Sequence, residues 1–140
     1  AALGRLMGIE APEALVPEDP GSPVFAGRLE ASVTVQGLAD RLSVALDRTP
    51  LVIGEGNVKS VAWCTGAGQR YIDLAADAGA DVYVTGEVSE QTAHIARERG
   101  IAYIGAGHHA TERYGVQAVG SLAAEALGLS HEFIDIDNPA

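Results

Sequence analysis

The residues best able to do chemistry cluster in Gly107-His108-His109-Ala110-Thr111-Glu112. His108 and Glu112 stand four apart. At the start of a helix that spacing sets an imidazole and a carboxylate on one face. Both are ligands for Zn²⁺, Mn²⁺ or Fe²⁺. The plainer account is a glutamate in a first helical turn, favoured by the macrodipole, beside two histidines in a polar turn. Glu112 also falls in line with Val116, Val119 and Ala123, an apolar stripe expected to face the core. A carboxylate at the head of a buried stripe needs a partner, because an unpaired buried charge is costly.

Three further groups have alternatives of their own. Glu87 follows Thr85-Gly86. It reads either as a carboxylate that supports a ligand or acts as general base, or as dipole compensation shared with Glu90. Thr65-Gly66-Ala67-Gly68-Gln69 resembles a phosphate-accommodating turn. Tyr71 stands where a dinucleotide fingerprint has its third glycine, and the Lys-Ser/Thr of a P-loop is missing. What is left is an anion site at a helix N-terminus. Cys64 reads as a small apolar residue inside a strand rather than an activated thiol. His94 belongs on a solvated helix face, and His131 at a loop edge carries no signal.

Positioning these residues falls to alternating strands and helices. Residues 1–9 read as a helix ending near Gly8. Residues 10–23 hold Pro12, Pro17, Pro20 and Pro23 and form an irregular connection. Strands are expected over 24–33, 51–53, 58–65, 81–85, 101–104 and 132–136. Helices are expected over 35–47, 69–78, 89–99 and 111–127, with Thr34 and Ser89 as caps. Leu38, Leu42, Ala45 and Leu46 make the buried face of the first of these. The pattern implies an α/β fold of three layers, built from βαβ units on a mostly parallel or mixed sheet. Three strands end in Thr65-Gly66, Thr85-Gly86 and Ala106-Gly107. Ligands bind at such carboxyl ends, so the three loops should share one sheet edge.

Composition bounds the rest. The chain has 140 residues, enough for a single domain, and a formal net charge of −10. Such a surface repels phosphodiester backbones, so no nucleic-acid partner is expected. A small anionic substrate remains possible where a metal inverts the local field. One cysteine permits no internal disulfide, which agrees with a reducing compartment. No apolar run approaches the roughly 20 residues of a membrane span. No signal pattern opens the sequence, and the expected location is the cytoplasm.

Four segments together carry a family resemblance: Val61-Ala62-Trp63-Cys64-Thr65-Gly66, Thr85-Gly86-Glu87-Val88-Ser89-Glu90-Gln91-Thr92, Gly107 to Arg113, and Phe133-Ile134-Asp135-Ile136-Asp137-Asn138-Pro139. From about Leu3 onward the chain resembles the carboxyl-terminal half of the YbgI-like family, the GTP cyclohydrolase type-two homologues. The resemblance implies a cytosolic two-lobed protein assembled as a hexameric ring, with two divalent ions between the lobes. It maps metal-ligand roles onto His108 and Glu112. The other lobe would supply a histidine pair and an aspartate, and neither is present here. The expectation is therefore the second lobe of a larger protein, binding metal weakly by itself. Its chemistry would be hydrolysis of a nucleotide or other phosphorylated small molecule by metal-activated water. Glu87, His109, Thr65, Gly66 and Gly68 would orient the substrate or support the ligands. The alternative is a non-catalytic oligomeric scaffold or regulatory module with a structural metal.

Overall fold

The structure is a computed structural model that describes residues 2–19, 21–136 and 138. The described residues form five α-helices and one six-stranded mixed sheet. The strands are β1 (Glu13–Ala14), β2 (Phe25–Thr34), β3 (Leu51–Ile53), β4 (Asn57–Trp63), β5 (Val82–Thr85) and β6 (Ala102–Gly105). The helices are α1 (Ala2–Met7), α2 (Val35–Leu46), α3 (Ile72–Asp77), α4 (Glu90–Arg99) and α5 (His108–Leu127). The sheet order is β1-β2-β4-β5-β6-β3. The central trio β4, β5 and β6 is parallel, while β2 joins β4 and β3 joins β6 antiparallel.

The central strands are buried on both faces, and their side chains alternate between two cores. Val61, Trp63, Val82, Val84 and Ile104 point to one face, where they meet Leu3 and Met7 of α1, Leu38, Leu42 and Leu46 of α2, and Ala110 of α5. Ala62, Cys64, Tyr83 and Tyr103 point to the other, against Ile72 and Ala75 of α3 and Ala96 of α4. These are the three layers that the alternating pattern implies.

Helix ends follow local chemistry. The Thr34 hydroxyl accepts the Gly37 N–H at 3.0 Å and starts α2. Ser89 accepts from the Thr92 N–H at 3.2 Å and starts α4. Such caps satisfy N–H groups with no partner inside the helix. The connection over 10–23 is irregular except for the two residues of β1. Residues 69–71 form a single 3₁₀ turn ahead of α3.

Two expectations fail. Residues 132–136 form no strand; they are exposed or half-buried irregular chain. Their aromatic and β-branched residues suit a strand, but Asp135 is held by side chains, Arg113 at 3.0 Å and His109 at 3.5 Å, and among the described residues no strand pairs with this segment. The apolar stripe of α5 is not buried either. Val116, Val119 and Leu122 are 60%, 67% and 66% exposed. The helix meets the core only through its first turns, at Ala110, Thr111 and Tyr114, and extends beyond the layer it starts from.

Candidate functional site

Backbone hydrogen bonds stitch the carboxyl ends of β4, β5 and β6 together. The Gly86 N–H donates to the Gly66 carbonyl at 3.0 Å, and the Gly107 N–H donates to the Gly86 carbonyl at 2.9 Å. The three glycine turns share one edge, as their positions at strand ends imply. Close approach explains Gly86: a Cβ there would lie 2.7 Å from the Gly66 carbonyl oxygen and 2.7 Å from the His108 Cα. Gly66 sits at φ +65°, a left-handed conformation that glycine adopts without a Cβ clash.

On this edge three chemically active side chains converge. The His108 Nδ1 lies 2.7 Å from the Glu87 Oε1, and its Nε2 lies 3.3 Å from the Glu112 Oε2. A helix brings the second pair together, because α5 begins at His108, one turn earlier than the apolar periodicity implies. The Gln69 side-chain N–H donates to the other Glu87 oxygen at 3.0 Å. The Tyr103 hydroxyl donates to the Glu87 carbonyl. Glu87 is thus held from three sides and in turn fixes the His108 ring.

The electrostatics follow from these bonds. The hydrogen bond to Glu87 raises the His108 pKa above its ordinary value, and the Glu112 carboxylate adds to that. Hydrogen bonds from His108 and Gln69 hold Glu87 below the usual carboxylate range. Burial pushes the Cys64 thiol up, which fits an apolar role and not a nucleophilic one. Glu112 is not at the head of a buried stripe; its side chain is 52% exposed. Its partner is His108, and solvent can reach the pair.

The remaining candidates divide. Gly66 and Gly68 do not present their N–H groups to a ligand. The Gly66 N–H donates to the Thr111 hydroxyl at 3.0 Å and the Gly68 N–H to the Thr85 hydroxyl at 3.1 Å. Their role is to pack the turn against α5 and β5. Thr65 is exposed beside Glu112. His109 turns away toward Asp135, although it borders the same open cavity of about 460 Å³ as Glu87, His108 and Glu112. His94 is exposed on α4. Asn138 reaches that cavity, whereas Asp137 and Pro139 of the same motif lie outside the described residues. Sequence reasoning missed Gln69 and Thr111. Thr111 bridges the Gly66 N–H and the His108 carbonyl. The signal for Gln69 is a polar residue directly after a glycine turn, and that for Thr111 is a hydroxyl residue in the first turn of a helix, three positions after His108.

Comparison with known proteins now has a geometry to bear on. The profile of the family described as Duf34/NIF3 (NGG1p interacting factor 3) matches residues 1–139. The chain belongs to this family. It is 49% identical over 139 residues to a Pseudomonas aeruginosa protein named GTP cyclohydrolase 1 type 2 homolog, covering 99% of this chain and 55% of that protein. A Haemophilus influenzae protein of the same name is 46% identical, covering 100% of this chain and 57% of the relative. Among solved structures, the protein ybgI, described as of unknown function, superposes with a TM-score of 0.88 at 44% identity, covering 99% of this chain and 55% of the other. A Bacillus cereus protein related to NIF3 gives 0.72 at 30% identity, over 84% of this chain and 35% of the other. The chain therefore spans about half the length of the curated relatives it matches. No helix among the described residues is long and apolar enough to cross a membrane.

Proposed function

We propose that this chain supplies part of a divalent-metal centre, with the His108 Nε2 and the Glu112 carboxylate as ligands, in a hydrolase-like protein. Its substrate would be a nucleotide or another phosphorylated small molecule. The observation that carries the reading is the Glu87–His108–Glu112 chain, at 2.7 Å and 3.3 Å. A carboxylate on one imidazole nitrogen fixes the tautomer and turns the other nitrogen outward, the usual support of a metal-bound histidine. The donor set, one imidazole and one carboxylate, suits Zn²⁺, Mn²⁺ or Fe²⁺.

When bound, the ion supplies a Lewis acid and a nucleophile generated from water at neutral pH. The chain's own residues do the positioning. Glu87 accepts the Nδ1–H of His108, and Gln69 keeps Glu87 in place. Thr111 ties the start of α5 to the Gly66 turn, so ligand and loop move as one. The open cavity between Gly86–Val88 and His108–Glu112 gives a substrate room beside the ligands. Among the described residues no group of three His, Cys, Asp or Glu is set to hold an ion. Two ligands rarely hold a catalytic metal, so the reading assigns the remaining ligands to the length that the relatives have beyond this match. It extends to two ions per site and to a homo-oligomer in the cytoplasm. The relatives' name makes GTP the first substrate to try.

The test is metal content. Mn²⁺ or Zn²⁺ is titrated into the chain and into His108→Ala, with bound metal measured by elemental analysis after dialysis. The expected result is weak uptake that the substitution abolishes. Equal uptake by both ends the reading. A second reading, an oligomeric scaffold, is favoured by the exposed Val116, Val119 and Leu122 on α5. It takes a second copy as the occupant of that face. Sedimentation of the chain and of Leu122→Glu decides it: a shared monomeric mass removes the scaffold.

A further inference from the structure

A second cavity, of about 380 Å³, lies on the far side of Glu112 from the one already described. Its walls include Pro23, Phe25, Trp63 and Tyr114, and its polar rim is Thr65 and Glu112. Phe25 stacks on Trp63 with ring centroids 6.1 Å apart and planes 23° from parallel. The Tyr114 hydroxyl donates to the Ala45 carbonyl, which fixes the Tyr114 ring as a wall. Thr111, which also lines the cavity, is buried, and its hydroxyl is bonded to Gly66 and His108.

We infer that this cavity is a binding subsite for an aromatic ring, carried by a substrate whose anionic group sits at His108 and Glu112. The inference rests on the metal reading for the anion and stands on its own geometry for the ring. Three points support it. The cavity is of the size of small-ligand sites, which run from about 300 Å³ upward, and such sites pair apolar walls with a few polar groups. Its accessible aromatic walls are the half-buried Phe25 and Tyr114, with the buried Trp63 stacked behind Phe25, which suits offset or edge contacts with a planar ring. Glu112 is common to both cavities, so one molecule can reach the ligand pair and the aromatic walls together. The walls carry no row of donors and acceptors, so the ring is held by apolar contact and burial rather than by hydrogen bonds at its edge.

The chain's one tryptophan, Trp63, reports on the cavity through Phe25, which stacks on it. Phenyl phosphate and inorganic phosphate are titrated at saturating Mn²⁺, and phenol without metal, with Trp63 emission and calorimetry as readouts. Phenyl phosphate is expected to bind about tenfold more tightly than phosphate, the effect of burying part of one ring. Phenol alone should perturb Trp63 emission, also in His108→Ala. Gly115 borders the cavity, and a Cβ there would meet nothing within 4 Å. Gly115→Leu adds a side chain whose first carbon meets no neighbour, and at the border of the cavity it should reduce the phenyl advantage while phosphate affinity stays. Phe25→Ala, with unfolding checked by circular dichroism, is the second variant. Equal affinity for the two phosphates with unmoved Trp63 emission overturns the subsite and leaves the metal reading intact. A response to phenol without any phosphate binding supports the ring subsite by itself. No response to any of the three overturns the subsite, while the metal reading stands or falls by metal uptake in the parent and His108→Ala.

Discussion

At the scale of single residues, His108 depends on Glu87 more than on its neighbours in sequence. The 2.7 Å contact at Nδ1 sets which nitrogen faces Glu112. Replacing a carboxylate that supports a metal-bound histidine typically lowers metal affinity by about 10- to 100-fold. Glu87→Gln should therefore weaken Mn²⁺ uptake by that factor while leaving the fold intact, since the side chain is 40% exposed. A variant that binds Mn²⁺ like the parent would make the pair a surface contact. Gly86 is the opposite case, because it touches backbone. The methyl of Gly86→Ala would lie 2.7 Å from both the Gly66 oxygen and the His108 Cα. One of the two loops must move, at about 1–3 kcal/mol for overpacking. Urea unfolding checks the loss, and an unshifted midpoint would contradict the close approach. Part of this site was legible from sequence. Three glycine turns at strand ends placed Glu87 and His108 on one edge before any coordinate. The roles of Gln69 and Thr111 were not legible, because Glu87 and the Gly66 N–H lie 18 and 45 positions away; only the Thr111 contact to the His108 carbonyl is local.

At the scale of elements, local chemistry predicts starts better than it predicts partners. Thr34 and Ser89 cap helices where hydroxyl residues precede an apolar period. Thr34→Ala should cost about 1 kcal/mol, as loss of an N-cap hydroxyl does elsewhere. The melting temperature reads it, and Thr34→Asp should recover most of the loss, because aspartate caps as well. If alanine and aspartate melt alike, the hydroxyl is not capping α2. Residues 132–136 show the limit of this kind of reading. The aromatic and β-branched residues Phe133, Ile134 and Ile136 look like a strand, but a strand also needs a free edge to bond. Asp135 instead meets Arg113 and His109, so the segment folds back onto α5 through side chains. The same contact draws His109 away from His108 and Glu112 beside it.

At the scale of the whole molecule, the question is which apolar faces the fold buries. Periodicity assigned a buried face to α2 and another to α5 with equal justification. Leu42 on α2 is 0% exposed, and Leu122 on α5 is 66% exposed. The difference lies in length against support. The sheet and α1 lie under all of α2, whereas α5 has core contacts only near Ala110, Thr111 and Tyr114. Helical spacing records which residues share a face, and nothing in it records where the layer beneath stops. The two leucines therefore make a matched pair for experiment. Leu42→Ala removes buried methyl groups and leaves a cavity, at about 2–5 kcal/mol. Leu122→Ala removes a side chain already in water and should stay within about 0.5 kcal/mol. Urea unfolding at several protein concentrations separates the cases further. A Leu42→Ala loss that does not vary with concentration belongs to the core of one chain. A Leu122→Ala loss that grows as protein concentration rises means that a second copy covers α5, since stability then depends on association by mass action. Should Leu122→Ala cost as much as Leu42→Ala even at high dilution, α5 is packed within the single chain and the exposure described for it is wrong.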